Sequence, residues 1–125
     1  MRPSANELVP ESGVHSHADD LLWQTVFEWN PLANGRIVHS VWMDLRNFAA
    51  ALQTLTYRMR YAVDGVNYAT FDSNAAAPWL IAMDDGILIA VDSAIDHPFI
   101  LEIQKTVAEG GIVNVPWEVL YEDMS

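Results

Sequence analysis

The fold of this chain is indicated most clearly by residues 55–63, which read LTYRMRYAV. Leucine, tyrosine, methionine, tyrosine and valine take the odd-numbered positions, and threonine, two arginines and an alanine take the even ones. This alternation, with a period of two, predicts a strand with one buried face. Asp64 and Gly65 follow, a pair that favours a type I′ turn, and residues 66–71 then predict the second strand of a hairpin.

The same period of two recurs on both sides of this hairpin. It predicts further strands over residues 21–29, 37–43, 78–83, 87–92, 99–104 and 113–121, separated by Asn-Pro, Asn-Gly, Asp-Gly and Gly-Gly turn signals. Residues 45–52, which are rich in alanine, predict only a short helical turn. Seven or eight short strands without a long helix predict an all-β fold, either an antiparallel β-sandwich or a jelly-roll-like domain.

The first twenty residues differ from the rest of the chain. They contain Pro3, Pro10 and Gly13, several serine and asparagine residues, and almost no apolar periodicity. Such a composition predicts an extended segment. We therefore expect an extended N-terminal arm over residues 1–20 and one β-sandwich domain over residues 21–125, since 125 residues is the usual size of a single domain.

The amino-acid composition argues against some classes of binding partner. The chain is 51% apolar, has no cysteine and carries a net charge of −11. Residues 1–20 carry −3, residues 21–83 are neutral and residues 84–125 carry −8. An acidic surface repels phosphate backbones and anionic lipid, and no stretch approaches the roughly 18 apolar residues of a membrane helix. We expect no nucleic-acid or membrane partner and no secretory signal.

Two acidic or histidine-rich clusters are candidate metal ligands. His15 and His17, two residues apart on an extended segment, would face the same way, and Asp19 and Asp20 follow them. Four aspartates between residues 84 and 96 could bind calcium. Neither cluster has the spacing of an established metal motif, and a solvated tail and turn-forming aspartates explain them better. We predict no metal and no cofactor.

Catalytic motifs are missing from the sequence. The chain has four histidines, but no Gly-x-Ser-x-Gly elbow, no His-Glu-x-x-His pair and no phosphate-binding glycine loop. We therefore predict that the protein has no catalytic residues and is not an enzyme.

Aromatic and basic side chains are the remaining candidates for binding. Five tryptophans would fill the core of a small sandwich, and any that are exposed would suit a sugar or a protein partner. Arg58 and Arg60 project from one strand face and could pair with the acidic C-terminal third of this chain or of a second copy.

The hairpin region resembles a known group of proteins. Residues 59–68 read MRYAVDGVNY and are similar to the hairpin of small all-β proteins encoded among the virion structural genes of tailed bacteriophages. The order downstream is similar too, with an Asp-Gly turn before ILIAV at residues 87–91, LEIQ at 101–104, VAEG at 107–110 and Pro116. The resemblance covers roughly residues 44–116.

This resemblance implies a non-enzymatic virion component: a capsid decoration (cement) protein, or else a head or tail accessory protein. It implies binding to the major capsid protein or another virion protein, assembly as a homo-oligomer with a trimer favoured, and location in the virion after a stage in the host cytoplasm. We predict that the contacts involve the arm and the aromatic strand, through Pro3, Leu8, Val9, Pro10, Trp23, Phe27, Trp29, Arg58 and Arg60.

Two other classes of function remain open from the residues. Exposed tryptophans would suit a carbohydrate-binding module, for which a cluster of them on the surface is required. The acidity would suit an inhibitor or immunity-type protein that binds a basic surface.

Overall fold

The computed structural model describes residues 8–30, 35–51, 53–62, 64–75 and 87–123, with the backbone alone for residues 71–75 and 87–94. These residues form eight β-strands and no helix, which confirms the predicted all-β class. The strands are β1 (Val9–His17), β2 (Gln24–Trp29), β3 (Arg36–Met43), β4 (Leu55–Tyr61), β5 (Ala69–Ala75), β6 (Ile87–Ile95), β7 (Phe99–Lys105) and β8 (Val113–Asp123). The strand predicted over residues 78–83 lies outside the described residues.

The described strands form two antiparallel four-stranded sheets packed face to face, as predicted for a β-sandwich. The first sheet has the order β1-β8-β3-β6 and the second has the order β2-β7-β4-β5. The pairing is nested: β4 pairs with β5, β3 with β6, β2 with β7 and β1 with β8. Strands that are far apart in sequence are therefore neighbours in the sheets.

The core lies between the inner faces of the two sheets. The odd-numbered residues of β4 from Leu55 to Met59 are buried, and so are Phe99, Leu101 and Ile103 of β7. In β4 the alternation read from the sequence is confirmed, whereas β7 is buried on both faces, because Ile100 and Glu102 are buried as well. Aromatic contacts join the sheets, because the ring of Phe27 stacks on Trp117 at 5.0 Å between centroids.

Two β-bulges change which side chains face the core. One lies between Thr25 and Phe27 in β2, and the other lies between Val38 and Ser40 in β3. A bulge puts an extra residue into one strand, so the alternation changes phase beyond it. The single aromatic face predicted for residues 21–29 is therefore wrong: Phe27 and Trp29 are buried, while Trp23 lies beneath Arg58 on the outer face.

The connection between β4 and β5 is longer than the predicted two-residue turn. Tyr61 pairs with Ala69, so the strands are joined by residues 62–68. Asp64 shapes this loop: its carboxylate accepts hydrogen bonds from the backbone N–H groups of Val66 and Asn67, at 2.8 and 2.7 Å. These bonds hold the pKa of Asp64 at about 2, and Gly65 follows with φ of 81°. The residues that predicted a turn make a turn, but not a type I′ turn.

The segment between β3 and β4 is also not what the sequence predicted. Among its described residues no helical turn is present. Leu45 and Phe48 are buried in the core, and Gln53 donates a hydrogen bond to the carboxylate of Glu109 at 2.6 Å. Core packing and this buried polar contact therefore determine the path of the segment, rather than the helix propensity of its alanines.

The extended arm predicted for residues 1–20 is wrong for residues 9–17, because these form β1 at the edge of the first sheet. The register with β8 runs from Val9 opposite Tyr121 to His17 opposite Val113. Polar residues occupy three of the inward positions, which concealed the period of two. The indole N–H of Trp29 donates to the Glu11 carboxylate at 2.6 Å. Residues 1–7 lie outside the described residues.

Gly13 in β1 provides a test of this packing. A Cβ at this position would approach within 2.8 Å of the Trp117 ring. Because that ring is stacked on Phe27, we expect Gly13→Ala to lower the free energy of unfolding by about 1–3 kcal/mol through overpacking. Urea unfolding measures the effect. Gly111→Ala is the matched control, since no atom lies within 4 Å of the added methyl group; equal stabilities for the two variants would contradict the packing.

Candidate binding surfaces

A shallow groove of about 380 Å³ lies on the outer face of the first sheet. We call it the Trp42 groove. Its lining residues are Ser12, Gly13, Val14, Trp42, Asp44, Pro116, Trp117 and Glu118. They come from β1, from β8 and from the end of β3, so the sheet brings together residues more than a hundred positions apart in the chain.

Strand register explains how the groove is assembled. Glu118 of β8 lies directly opposite both Ser12 of β1 and Trp42 of β3. In the next row, Val14 lies opposite Pro116, whose carbonyl accepts a hydrogen bond from the Asp44 N–H at 2.8 Å. Side chains opposite one another on the same face of a sheet are in contact range. The groove therefore consists of an apolar centre with a carboxylate in each row.

Trp42 and Val14 are the exposed apolar residues of the groove. The relative exposures are 37% for Trp42 and 61% for Val14, in contrast to the buried Val41 and Met43 on either side of Trp42. The bulge in β3 determines which residues face outward, because beyond it Val41 and Met43 point toward the core and Trp42 points away from it. An exposed indole beside apolar neighbours is typical of a binding surface.

The two carboxylates of the groove differ in their partners. Asp44 accepts two hydrogen bonds from the Arg46 guanidinium, at 3.0 and 2.7 Å, and this contact holds the pKa of Asp44 below its usual value. Glu118 is exposed and has no ion-pair partner among the described residues. Glu118 is thus available to a cationic or hydrogen-bonding group from another molecule.

The outer face of the second sheet carries a different cluster. Glu102 lies between the two predicted arginines, with Oε1 at 2.7 Å from Nε of Arg58 and 3.4 Å from Nη1 of Arg60. The Arg58 guanidinium also lies 4.0 Å from the centre of the Trp23 ring, and that of Arg60 lies 5.4 Å from the Tyr68 ring. Both arginines therefore pair with the C-terminal third of their own chain, one of the two partners predicted.

His15 and His17 approach each other closely, but no third candidate metal ligand joins them among the described residues. Nε2 of His15 lies 3.0 Å from Nδ1 of His17, and within the described ranges no group of three or more candidate ligands comes together. His17 is fully buried with its ring edge against Phe48, and its Nε2 has no hydrogen-bond partner. Burial and the nearby charges of His15 and Lys105 lower the pKa of His17 to about 4.

Lys105, the only lysine in the chain, lies at the same end of the sandwich as His17. It is 1% exposed, and its ammonium donates to the Asp19 carboxylate at 2.5 Å. The same carboxylate accepts from the N–H groups of Glu109 and Gly110, and these bonds, led by that of Lys105, lower the pKa of Asp19. Asp19 thus anchors the β7–β8 loop rather than a metal.

The predicted contact residues are distributed over several environments. Phe27 and Trp29 are buried, so neither can reach a partner, and that part of the prediction is wrong; Val9 is half-buried and packs against the core, and its predicted contact stays a prediction. Leu8 and Pro10 are exposed on β1 and its start. Pro3 lies outside the described residues. Trp23, Arg58 and Arg60 share the cluster around Glu102 on the second sheet.

The tryptophans of the described residues are divided between the core and the outer faces of the sheets, so the expectation that most of the five fill the core is not met among them. Trp29 is buried and Trp117 packs against the core, whereas Trp79 lies outside the described residues. Trp42 is the one exposed tryptophan of the described chain. The sequence analysis did not identify Trp42 as a contact residue. Its position one residue before the end of a strand offered no signal, because the bulge that turns it outward is not visible in the pattern.

Comparisons with known proteins found no relative of this chain. No family model, no curated protein and no solved structure matches the chain. Within the described residues no helix is long and apolar enough to span a membrane. The arrangement of the surface residues is therefore the basis for inferring a function.

The buried His17 predicts a specific dependence of stability on pH. Because its pKa is about 4 in the folded protein and 6.5 is the ordinary value, the unfolded chain binds a proton first as pH falls. The contribution of His17 to stability is complete above pH 6.5 and is lost between about pH 6.5 and 4, with a slope of up to about 1.4 kcal/mol per pH unit.

Urea unfolding of the wild type and of His17→Asn at pH 4.5, 5.5, 6.5 and 7.5 measures this slope. The difference in unfolding free energy between the two proteins should change with pH only below about 6.5. His39→Asn, on β3 of the same sheet, controls for removal of any histidine and should retain the His17 slope. A pH-independent difference for His17→Asn would show that His17 titrates normally in the folded protein.

Proposed function

We propose that the protein is a non-enzymatic structural protein of a tailed-phage virion, namely a capsid decoration protein that binds the phage head. The observation that carries the proposal is the nested order of the described strands, β1-β8-β3-β6 against β2-β7-β4-β5. We take this order to be that of a jelly roll, in which a long antiparallel ribbon is folded into two sheets. Jelly rolls are a common architecture of viral capsid and lectin domains.

The resemblance of residues 59–68 to virion hairpins supports the same proposal. That stretch contains the end of β4 and the loop ordered by Asp64, whose carboxylate accepts from both Val66 and Asn67. A loop fixed by side-chain to backbone bonds presents a defined shape at one end of the sandwich. Under this proposal the protein assembles in several copies, with a trimer favoured, and resides in the virion.

The outer face of the first sheet is the surface best suited to attachment. Leu8, Val14 and Trp42 are all exposed on it or at its edge, with relative exposures of 53%, 61% and 37%. Exposed apolar side chains of this size favour burial against another protein.

Purified virions of the phage that encodes the chain provide the test. We expect mass spectrometry to find the protein in particles after density-gradient purification, in a fixed ratio to the major capsid protein. Particles lacking it should bind the recombinant protein saturably and withstand chelator or heat better afterwards. Absence from purified particles together with no rebinding would refute the proposal.

A truncation separates the arm from the folded domain. Because Val9–His17 belong to the first sheet, the informative deletion removes residues 1–7 and leaves β1 intact. We expect the shortened protein to keep the unfolding free energy of the full chain and to bind particles more weakly. Undiminished binding would assign attachment to the sheet face alone.

A carbohydrate-binding module is the second candidate, and one observation favours it. Trp42 lies beside Ser12 and Glu118, a combination of ring and polar groups that suits a sugar. The described residues offer this single exposed tryptophan rather than the cluster that such a module requires. Titration with soluble oligosaccharides, followed by tryptophan fluorescence, distinguishes the two functions.

A further inference from the structure

We propose that the Trp42 groove binds an arginine side chain from an extended cationic segment of a partner protein. The inference deepens the proposed function, on which it rests for the identity of the partner as a capsid protein. The geometry of the groove itself is independent of that identity. The argument begins with how this chain binds its own arginines.

The first internal example is Arg36 at the start of β3. Its guanidinium lies 4.6 Å from the centre of the Trp29 ring and 4.3 Å from that of Tyr121, while its Nε is 3.4 Å from an oxygen of Asp123. Arg36 and Asp123 are directly opposite in the register of β3 and β8. Aromatic rings and one carboxylate across the strand pair therefore hold this cation.

The second internal example is Arg58 on the outer face of the second sheet. Its guanidinium lies 4.0 Å from the centre of the Trp23 ring, and its Nε is 2.7 Å from Glu102. Arg58 and Glu102 are again directly opposite, in the register of β4 and β7. A ring and a carboxylate attract a guanidinium through its flat face and its N–H edge, respectively.

Trp42 and Glu118 repeat the ring and the carboxylate, but no arginine of the described residues lies between them. They lie directly opposite in the register of β3 and β8, the same strand pair that holds Arg36 and Asp123. No cation–aromatic contact of the described residues involves Trp42, and no ion pair of those residues involves Glu118. Both groups are accessible from the groove.

The described residues offer no unpaired lysine or arginine for the groove, and we therefore place the cation on another molecule. Each basic residue of the described chain, Arg36, Arg46, Arg58, Arg60 and Lys105, is paired with a carboxylate. The net charge of the whole chain is −11. A partner segment that carries positive charge therefore gains from the overall field as well as from the groove.

The shape of the groove favours an arginine on an extended backbone. Val14 and Pro116 provide an apolar floor that suits the three methylene groups of the side chain, and Trp42 provides a flat surface for the guanidinium. Asp44 lies in the neighbouring row but is paired with Arg46, so Glu118 provides the unpaired negative charge of the groove. A neutral sugar would use the ring but not the charge of the carboxylates.

A peptide titration of the full-length protein tests the inference. The probe is a blocked Ser-Arg-Ser-Arg-Ser peptide, and its comparison is the same peptide with citrulline, a neutral isostere, in place of arginine. Two-dimensional NMR follows the tryptophan indole N–H signals, with Trp42→Leu identifying the one that belongs to Trp42. We expect that signal to shift with the arginine peptide, and the citrulline peptide to bind at least about fivefold more weakly.

Matched carboxylate variants locate the site. Glu118→Gln should weaken binding of the arginine peptide about fivefold or more, while Glu28→Gln, an exposed glutamate on the second sheet, should leave it unchanged. Equal binding of the citrulline peptide, equal effects of the two variants, or no shift at Trp42 would each overturn the inference. A shift at Trp42 with cellohexaose or chitohexaose but not with the peptide would overturn it in favour of a glycan site.

Failure of the inference and failure of the proposed function give different results. Full particle binding by Glu118→Gln would refute the groove as the contact and leave the decoration function standing. Selective binding of the arginine peptide by a protein that is absent from particles would refute the decoration function and leave a cation-binding groove.

Discussion

The aromatic contacts between the two sheets are the interaction on which the rest of this structure depends. Phe27 stacks on Trp117, and Trp29 meets Tyr121 edge to face at 5.3 Å. Rings of this size leave no room for ordinary side chains on the adjoining edge strand. Gly13 makes space for one ring, and Glu11 satisfies the indole N–H of the other. The edge strand β1 is thus built to complement the aromatic core.

The alternating pattern predicted the architecture but not the orientation of every side chain. The strands β4 and β8 follow their apolar period without interruption and their burial agrees with it, whereas β7 is buried on both faces. The bulges in β2 and β3 reverse the facing of Trp23 and Trp42, and a bulge depends on strand pairing that local sequence does not specify. The period of two is hidden in β1 because Glu11, His15 and His17 take inward positions, and the contact of Glu11 with Trp29 joins residues distant in the chain.

The ion pairs of the structure distinguish the acidic side chains that have a basic partner from those that do not. The basic side chains of the described residues form ion pairs within the chain. One of them, Lys105, is buried at one end of the sandwich, where it contacts Asp19. The remaining carboxylates are left facing outward, Glu118 among them. The candidate groove could not be read from the sequence, because three strands contribute to it and only their register brings ring and carboxylate together.

The nested strand pairing also has a consequence for how the chain acquires its structure during synthesis. The strands β4 and β5 are consecutive in the sequence and can pair as soon as both have been synthesised. The strand β1 pairs with β8, which is the last strand of the described chain to leave the ribosome. Until then the edge of β3 that β8 will occupy is also open, since β8 lies between the two strands. Folding dominated by such distant contacts is slow, and the unpaired edges are prone to association. Pairing of the final eleven-residue strand therefore completes the sheet and covers the open edges of β1 and β3 on either side of it.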